Sequence, residues 1–563
     1  MKTIQIKTDL AAPEQLLSIL SSRIRRRCDA QFVTENAELT LQLCLDASIG
    51  NQGFRIEGNE DTVTISGDGI PGLTAGIGKF LRTSRYTQDG FIPSSWRGTS
   101  VPTSPLRGIQ IDIHFCNFYH MASAEELKEY TEDLALWGIN HLDIQFPLID
   151  FCGWDDPEIY HIIRQMKAIE DTARPLGLKV GMEVVPNQDF VTFRPEFKAL
   201  PNLDPTGRRG NNGNNICPNK PGAMEYILTE TYGRVFTFLQ DQGIQLDFIC
   251  FWPYDEGGCS CEKCYPWGAN GYLKVARAVC EKAKEVTPDI DVILSTWIFD
   301  AANEGEWEGL SRVLGEKNDF VDYILADSHT DFPEYPLKNG VPGGLPLLNY
   351  PEISMWSLTP WGGYGANPLP DRFHRLWQQV KDHVSGGIAY SEGIFDDINK
   401  VVVSQFYWDK HTTCDETLKE YISYDLGDGL YNDVRQIIRL IEQNHVQTAV
   451  LLGKQVKEDT CQRADEAIAL VEKVNAKLPA WSRNCWRWRI LAIRAELDRI
   501  RYHRAWEQRE SITHNTSWTE IMKGSAEAKT AMEELVQIFH SNLDADDELH
   551  PMFQHLRPAI KEI

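Results

Sequence analysis

The chain has 563 residues, 42% hydrophobic and 24% charged, with 81 acidic against 56 basic side chains and a formal net charge of -25. That length exceeds the ~100 to 250 residues one core usually serves, so about three domains are expected, and the composition is that of a chain folded throughout. The acidic excess would repel a phosphate backbone, which excludes nucleic acid and leaves a small molecule or neutral polymer as partner.

The N-terminus, MKTIQIKTDLAAPEQLL, lacks the apolar core of about 7 to 15 residues that marks a signal peptide, and no run of about 18 apolar residues occurs. Neither export nor a membrane partner is expected. The 13 cysteines are an odd number. Most stand singly in apolar surroundings, such as Cys44 in LQLCL and Cys250 in FICF, and read as buried free thiols in a reducing cytoplasm.

Residues 1–104 mix short strand-like runs (TIQI, ELTLQLCL, GFRIEG, TVTISG) with two amphipathic helices, one near 13–27 and one in GLTAGIGKFLRTSRY. This predicts a compact α+β domain. After the proline-marked linker SVPTSPLRG, residues 105–412 alternate apolar strand-like runs with helix-like stretches, the pattern of a parallel sheet. Eight runs occur: GIQIDIHF, HLDIQFPLI, KVGMEVVP, LDFICFWPY, DVILSTWIF, VDYILADS, LPLLNYPEI and GGIAYSEG. Eight units over this span predict a (β/α)8 barrel, since a doubly wound sheet does not usually need eight. The first crossover helix opens at Ser123 with Glu126 three residues on, a capping box. Residues 413–563 turn to long helices, with Ala464, Ala467, Ile468, Val471 and Val474 on one face. The Trp/Arg stripe of WRWRILAIRAELDRI reads as helix packing with charged rims.

In such barrels the active site lies at the C-terminal ends of the strands. Those ends read Asp112, His114, Asn117 and His120; Asp150; Glu183 and Asn187; Tyr254, Asp255 and Glu256; Trp297 and Asp300; Asp327 and His329; Asn349, Glu352 and Trp356; and Tyr390, Ser391 and Glu392. Carboxylates and aromatics suit sugars, whose rings offer C–H faces for stacking and hydroxyls for hydrogen bonding. Cleavage of a glycosidic bond needs two positioned carboxyl groups. No glycine-rich phosphate loop appears. Asp255 and Glu256 are the expected catalytic pair, because Gly257–Gly258 permits the turn that brings both to a pocket, and neighbouring carboxylates raise one another's pKa. The alternative is a solvated acidic loop or a helix cap. Glu392 is the expected second carboxylate or, alternatively, a partner for Arg or Lys. Asp112, His114, His120, Asn187, Tyr254, Trp297, Trp356 and Tyr390 are expected to bind substrate.

Cys259, Cys261 and Cys264 form C-x-C-x2-C, a spacing that suits zinc or another thiophilic metal. Cys217, on the loop after the third strand, is the expected fourth ligand. The competing reading is a set of reduced thiols in a tight loop. No organic cofactor is expected, and the oligomeric state stays open.

GFRIEG followed by TVTISGDGIPGLTAGIGKFLR resembles the small domain before the barrel in family-20 β-N-acetylhexosaminidases, family-84 hexosaminidases and family-67 and family-115 α-glucuronidases. The barrel opening LRGIQIDIHF and the helix end ALWGINHLDI resemble them too. The resemblance covers nearly the whole chain. It implies a glycoside hydrolase in which Asp255 orients the substrate acetamido group, itself the nucleophile, and Glu256 is the acid/base. FWPY before the pair and the cysteine loop after it depart from the family-20 pattern. Three functions remain: an exo-acting N-acetylhexosaminidase, a glycosidase for a uronic acid, and a non-catalytic sugar-binding barrel. The strand ends offer almost no Arg or Lys for a uronate carboxylate, and a binding protein would not need paired acids.

Overall fold

The computed structural model describes residues 2–87, 90–113, 117–192, 194–200, 215–254, 257–300, 304–328, 331–353, 368–445, 454–509, 511–512 and 522–539. In the N-terminal region, Lys2–Thr8, Leu39–Leu45 and Thr62–Gly67 run parallel at the centre of a six-stranded sheet. Ala30–Phe32 forms one edge, and Phe54–Gly58 and Gly98–Ser100 continue the other side antiparallel. Alternation in LTLQLCL buries Leu39, Leu41 and Leu43 on one face. The helix Glu14–Arg25 buries Leu16, Ile19, Leu20 and Ile24, which recur at helical spacing.

The second helix, Ile70–Thr83, stops short of the expected Tyr86. The Ser84 hydroxyl bonds the Phe80 carbonyl at 2.7 Å and the Tyr86 hydroxyl bonds that of Leu81 at 2.9 Å, so side chains satisfy the end of the helix. Arg85–Thr87 then pairs antiparallel with Gly90–Ile92. This helix lies hard against the first barrel helix, Ala124–Leu136. A Cβ on Gly78 would sit 1.9 Å from the Leu136 carbonyl oxygen, an approach only glycine allows. Arg82 donates to that same carbonyl.

All eight predicted runs become parallel strands of one closed barrel: Leu106–Ile111, His141–Gln145, Lys179–Val184, Phe248–Phe251, Asp291–Ser295, Tyr323–Asp327, Leu347–Tyr350 and Gly386–Ser391. The last strand closes on the first, with Tyr390 opposite Gln110. Both halves of the Ser123–Glu126 capping box form. The protein is therefore a TIM barrel with an N-terminal α+β region and a helical C-terminal region, the latter including Cys414–Asp425, Tyr431–Asn444, Glu458–Asn475 and Trp486–Gln508. Among the described residues no helix is long and apolar enough to cross a membrane.

A buried ion network fastens these parts. Arg23, in the first helix, pairs with Glu132 and Asp133 of the first barrel helix at 3.1 and 2.9 Å. Arg487, near the start of Trp486–Gln508, reaches the same Asp133 and Asp397 of the last barrel helix, Asp397–Trp408, each at 2.8 Å. Arg27 closes the circuit on Asp425 at 3.0 Å. Burial alone would raise the Asp133 carboxyl, but Arg23 and Arg487 hold it below its ordinary value.

Candidate active site

Polar side chains occupy the inside of the barrel. The Gln110 amide, on the first strand, donates to the Glu183 carboxylate on the third. That bond crosses over the second strand, so both side chains project into the lumen. Asp143, on the second strand, faces the Cys250 thiol of the fourth and is fully buried, and neither of its oxygens has a well-formed hydrogen bond among the described residues. Desolvation, with the charge of Asp112 adding to it, pushes the Asp143 carboxyl up to about 8. At neutral pH it is mostly a neutral acid.

Above this layer the strand ends converge. The Tyr390 hydroxyl donates to Glu392 and also lies within hydrogen-bonding reach of Asp112. Burial, and then these two carboxylates, push its phenol well above the ordinary value. Glu352 bridges to Tyr390 in parallel pairing, which brings the ends of the seventh and eighth strands together. The indole of Trp252 stacks on Trp297, centroids 5.6 Å apart, and Tyr350 packs against both at 4.8 and 5.7 Å. Tyr390 lies 6.1 Å from Tyr350 and extends this aromatic wall. The Tyr350 phenol is raised by burial, with Glu183 and Asp112 the leading charges around it. Carboxylates beside an aromatic wall can hydrogen-bond sugar hydroxyls and stack on a ring face at once.

Three expected substrate ligands are engaged elsewhere. Asn187 is fully buried; its amide nitrogen donates to the carbonyls of Ile216 and Gly258 at 3.1 and 3.0 Å, and its oxygen accepts from the Gly258 N–H at 3.1 Å. The whole amide thus clamps the loop that follows Glu256, correcting the substrate-binding expectation. Tyr254, also fully buried, donates to Glu306 and packs on Phe299, directed into the barrel wall. His120 meets Glu158 at 2.6 Å, on the crossover helix after the second strand. His114, Asp255, Glu256, His329 and Trp356 lie outside the described residues. Asp112, Trp297, Tyr390 and Glu392 do gather at the strand ends.

The chain flanking Asp255–Glu256 is held on both sides. Before it, Trp267 donates to the Pro253 carbonyl at 2.6 Å and Tyr272 to that of Phe251 at 2.7 Å. After it come the Asn187 clamp and Cys259, Cys261 and Cys264, which meet Cys217 in one cluster. The acidic FDDINK segment after Glu392 serves packing. Asp396 pairs with the buried Lys400 at 2.7 Å, Asp397 meets Arg487, and the Asn399 oxygen accepts from the Leu369 N–H at 2.9 Å.

Sequence reasoning names Glu183 and Glu352 only as strand ends and misses Gln110, Asp143, Trp252 and Tyr350. A lone aspartate inside the apolar run HLDIQF is the signal that could have found Asp143, because a buried strand has no ordinary use for a carboxylate.

No family model matches the chain, and no curated protein sequence matches it. Among solved structures, it is similar to a GH138 enzyme targeting pectin rhamnogalacturonan II, with a TM-score of 0.59 at 10% identity, covering 100% of this chain and 92% of that one. A GH115 4-O-methyl-α-glucuronidase with specificity for decorated arabinogalactans gives a TM-score of 0.60 at 10% identity, covering 100% and 80%. A GH89 protein from Clostridium perfringens, in complex with its substrate GlcNAc-α-1,4-galactose, gives 0.59 at 11%, covering 93% and 64%. At these identities the likeness is one of fold.

Proposed function

We propose that the chain is a glycoside hydrolase acting at the end of a sugar chain on a terminal N-acetylhexosamine. The observation that carries this is the gathering of Asp112, Glu352 and Glu392 at the C-terminal barrel mouth, with Glu183 in the lumen beneath them, beside the wall of Trp252, Trp297, Tyr350 and Tyr390. Several carboxylates around an aromatic surface are what cleavage through an oxocarbenium-like transition state requires, and they exceed what sugar binding alone needs. The resemblance of Asp255–Glu256 to the family-20 pair and the scarcity of Arg and Lys at the strand ends favour an N-acetylated sugar over a uronic acid. Glu256 serves as acid/base, Asp255 orients the acetamido group, and Glu392 binds hydroxyls with Tyr390.

A panel of chromogenic glycosides in both anomers, covering N-acetylglucosaminide, N-acetylgalactosaminide and glucuronide, tests this reading. Turnover of an N-acetylhexosaminide is expected. Glu256→Gln should lower kcat by about 10² to 10⁴ on a poor leaving group, while Glu392→Gln should mainly raise KM. Turnover of the glucuronide alone would move the assignment to a uronidase, and wild-type turnover by Glu256→Gln would remove Glu256 as the acid.

A further inference from the structure

The strongest unassigned feature is the cysteine cluster beside the strand-four loop. Cys217 comes from the loop after the third barrel strand, and Cys259, Cys261 and Cys264 from the loop after the fourth; all are free. Their four sulfurs lie within 4.8 Å of one another. Cys217 Sγ is 3.6 Å from that of Cys261 and 4.0 Å from that of Cys264. A disulfide needs about 2 Å. A tetrahedron with zinc–sulfur bonds of about 2.3 Å has sulfur–sulfur edges of about 3.8 Å, which these separations bracket.

The surroundings of the sulfurs point the same way. Asn219 Nδ2 donates to Cys264 Sγ at 3.1 Å, and Asn219 Oδ1 accepts from Lys274 Nζ at 2.7 Å, so a lysine charge is relayed through an amide onto a sulfur. The backbone N–H of Asn219 meets the Cys217 sulfur, and that of Cys261 the Cys259 sulfur. A neutral thiol is a weak acceptor, whereas a metal-bound thiolate is negative and uses such donors well. Four thiolates on one divalent ion leave a net charge of minus two, which the amide and ammonium dipoles offset.

We propose that Cys217, Cys259, Cys261 and Cys264 bind one zinc ion as thiolates, and that this ion ties the third-strand loop to the fourth-strand loop next to Glu256. With all four positions taken by sulfur the site is closed, so the ion fixes structure and leaves acid chemistry to the carboxylates. The Asn187 clamp joins the same two loops from the barrel side, and together they hold both flanks of the connection.

The test reads metal and needs no substrate, so its failure is distinct from failure of the hydrolase reading. Full-length protein prepared without added metal should contain about one zinc per chain by elemental analysis, released as an organomercurial titrates the thiols. Exchange with cobalt should give the intense visible absorption of tetrahedral thiolate coordination. Cys261→Ser, at the least buried of the four positions, should alter that spectrum and lower the melting temperature. Cys280→Ser, a buried thiol outside the cluster, should keep the wild-type spectrum. Wild-type protein that takes up neither zinc nor cobalt, or a disulfide mapped within the cluster, would overturn the proposal.

Discussion

Asp143 sits where a carboxyl is hard to ionise, facing a thiol and under the influence of Asp112, and its pKa near 8 has a consequence for stability. An unfolded aspartate titrates near about 4, so from about pH 4 to 8 the folded chain binds a proton that the unfolded chain has lost. The stabilisation from this group is complete below pH 4 and is lost as pH rises through 8. Asp143→Asn cannot ionise. It should match the wild type at about pH 3, where the aspartate is protonated in both the folded and the unfolded chain, and exceed its melting temperature at pH 8.5 by on the order of several degrees, measured by thermal denaturation at both values; equal curves at pH 8.5 would reject the shift. Residues of this kind show where sequence reading stops. Asp112, Trp297, Tyr390 and Glu392 were legible because each closes an apolar run and needs no distant partner to be noticed. Asn187 and Tyr254 close runs in the same way, yet their partners, Gly258 and Glu306, are fixed only by the fold. The four cysteines were legible because three share one short loop and the fourth lies on the loop beside it.

At the scale of elements, the barrel was readable strand by strand because each parallel strand is buried on both faces and appears as a continuous apolar run. The short strands Ala30–Phe32, Arg85–Thr87, Gly90–Ile92 and Gly98–Ser100 were not readable. Each is three residues long, too few to display a period. Loop placement was also hidden, and it is the element on which catalysis should depend most. Asn187→Ala removes three hydrogen bonds and leaves the Gly258 N–H and the Ile216 and Gly258 carbonyls to find other partners. Each buried group left unpaired costs about 1–3 kcal/mol, and a shift of about 1 Å in the loop would misplace Glu256 enough to cost about 10² in kcat. Steady-state kinetics on the best substrate of the glycoside panel should show this loss in kcat with KM little changed. A variant with wild-type kcat would mean the clamp does not position the acid.

At the scale of the whole molecule, Arg487 is the common partner of Asp133 and Asp397, whose side chains are 19% and 7% exposed. Removing it leaves the buried Asp397 without its arginine and Asp133 with Arg23 alone, so Arg487→Ala should destabilise the protein by about 3–5 kcal/mol, with Arg487→Met milder because it keeps the packing. Urea titration followed by tryptophan fluorescence would read the loss, and a midpoint within error of the wild type would refute the role. The three-part order along the chain was visible in composition, but this junction was not. Its arginines and aspartates look like ordinary helix-surface charges until the helices are brought together. The same junction bears on how the protein is made. Arg23 and Arg27 leave the ribosome before Arg487, which completes their circuit through Asp133 and, at 3.9 Å, Asp425 and follows about 460 residues later, roughly 20–90 s of synthesis at ordinary elongation rates. Through that interval the first helix can dock on the barrel, but the face meant for Trp486–Gln508 has no cover. The nascent chain therefore carries an unfinished, charged and partly apolar seam until Arg487 emerges, and a chain cut short before Trp486 would carry it permanently.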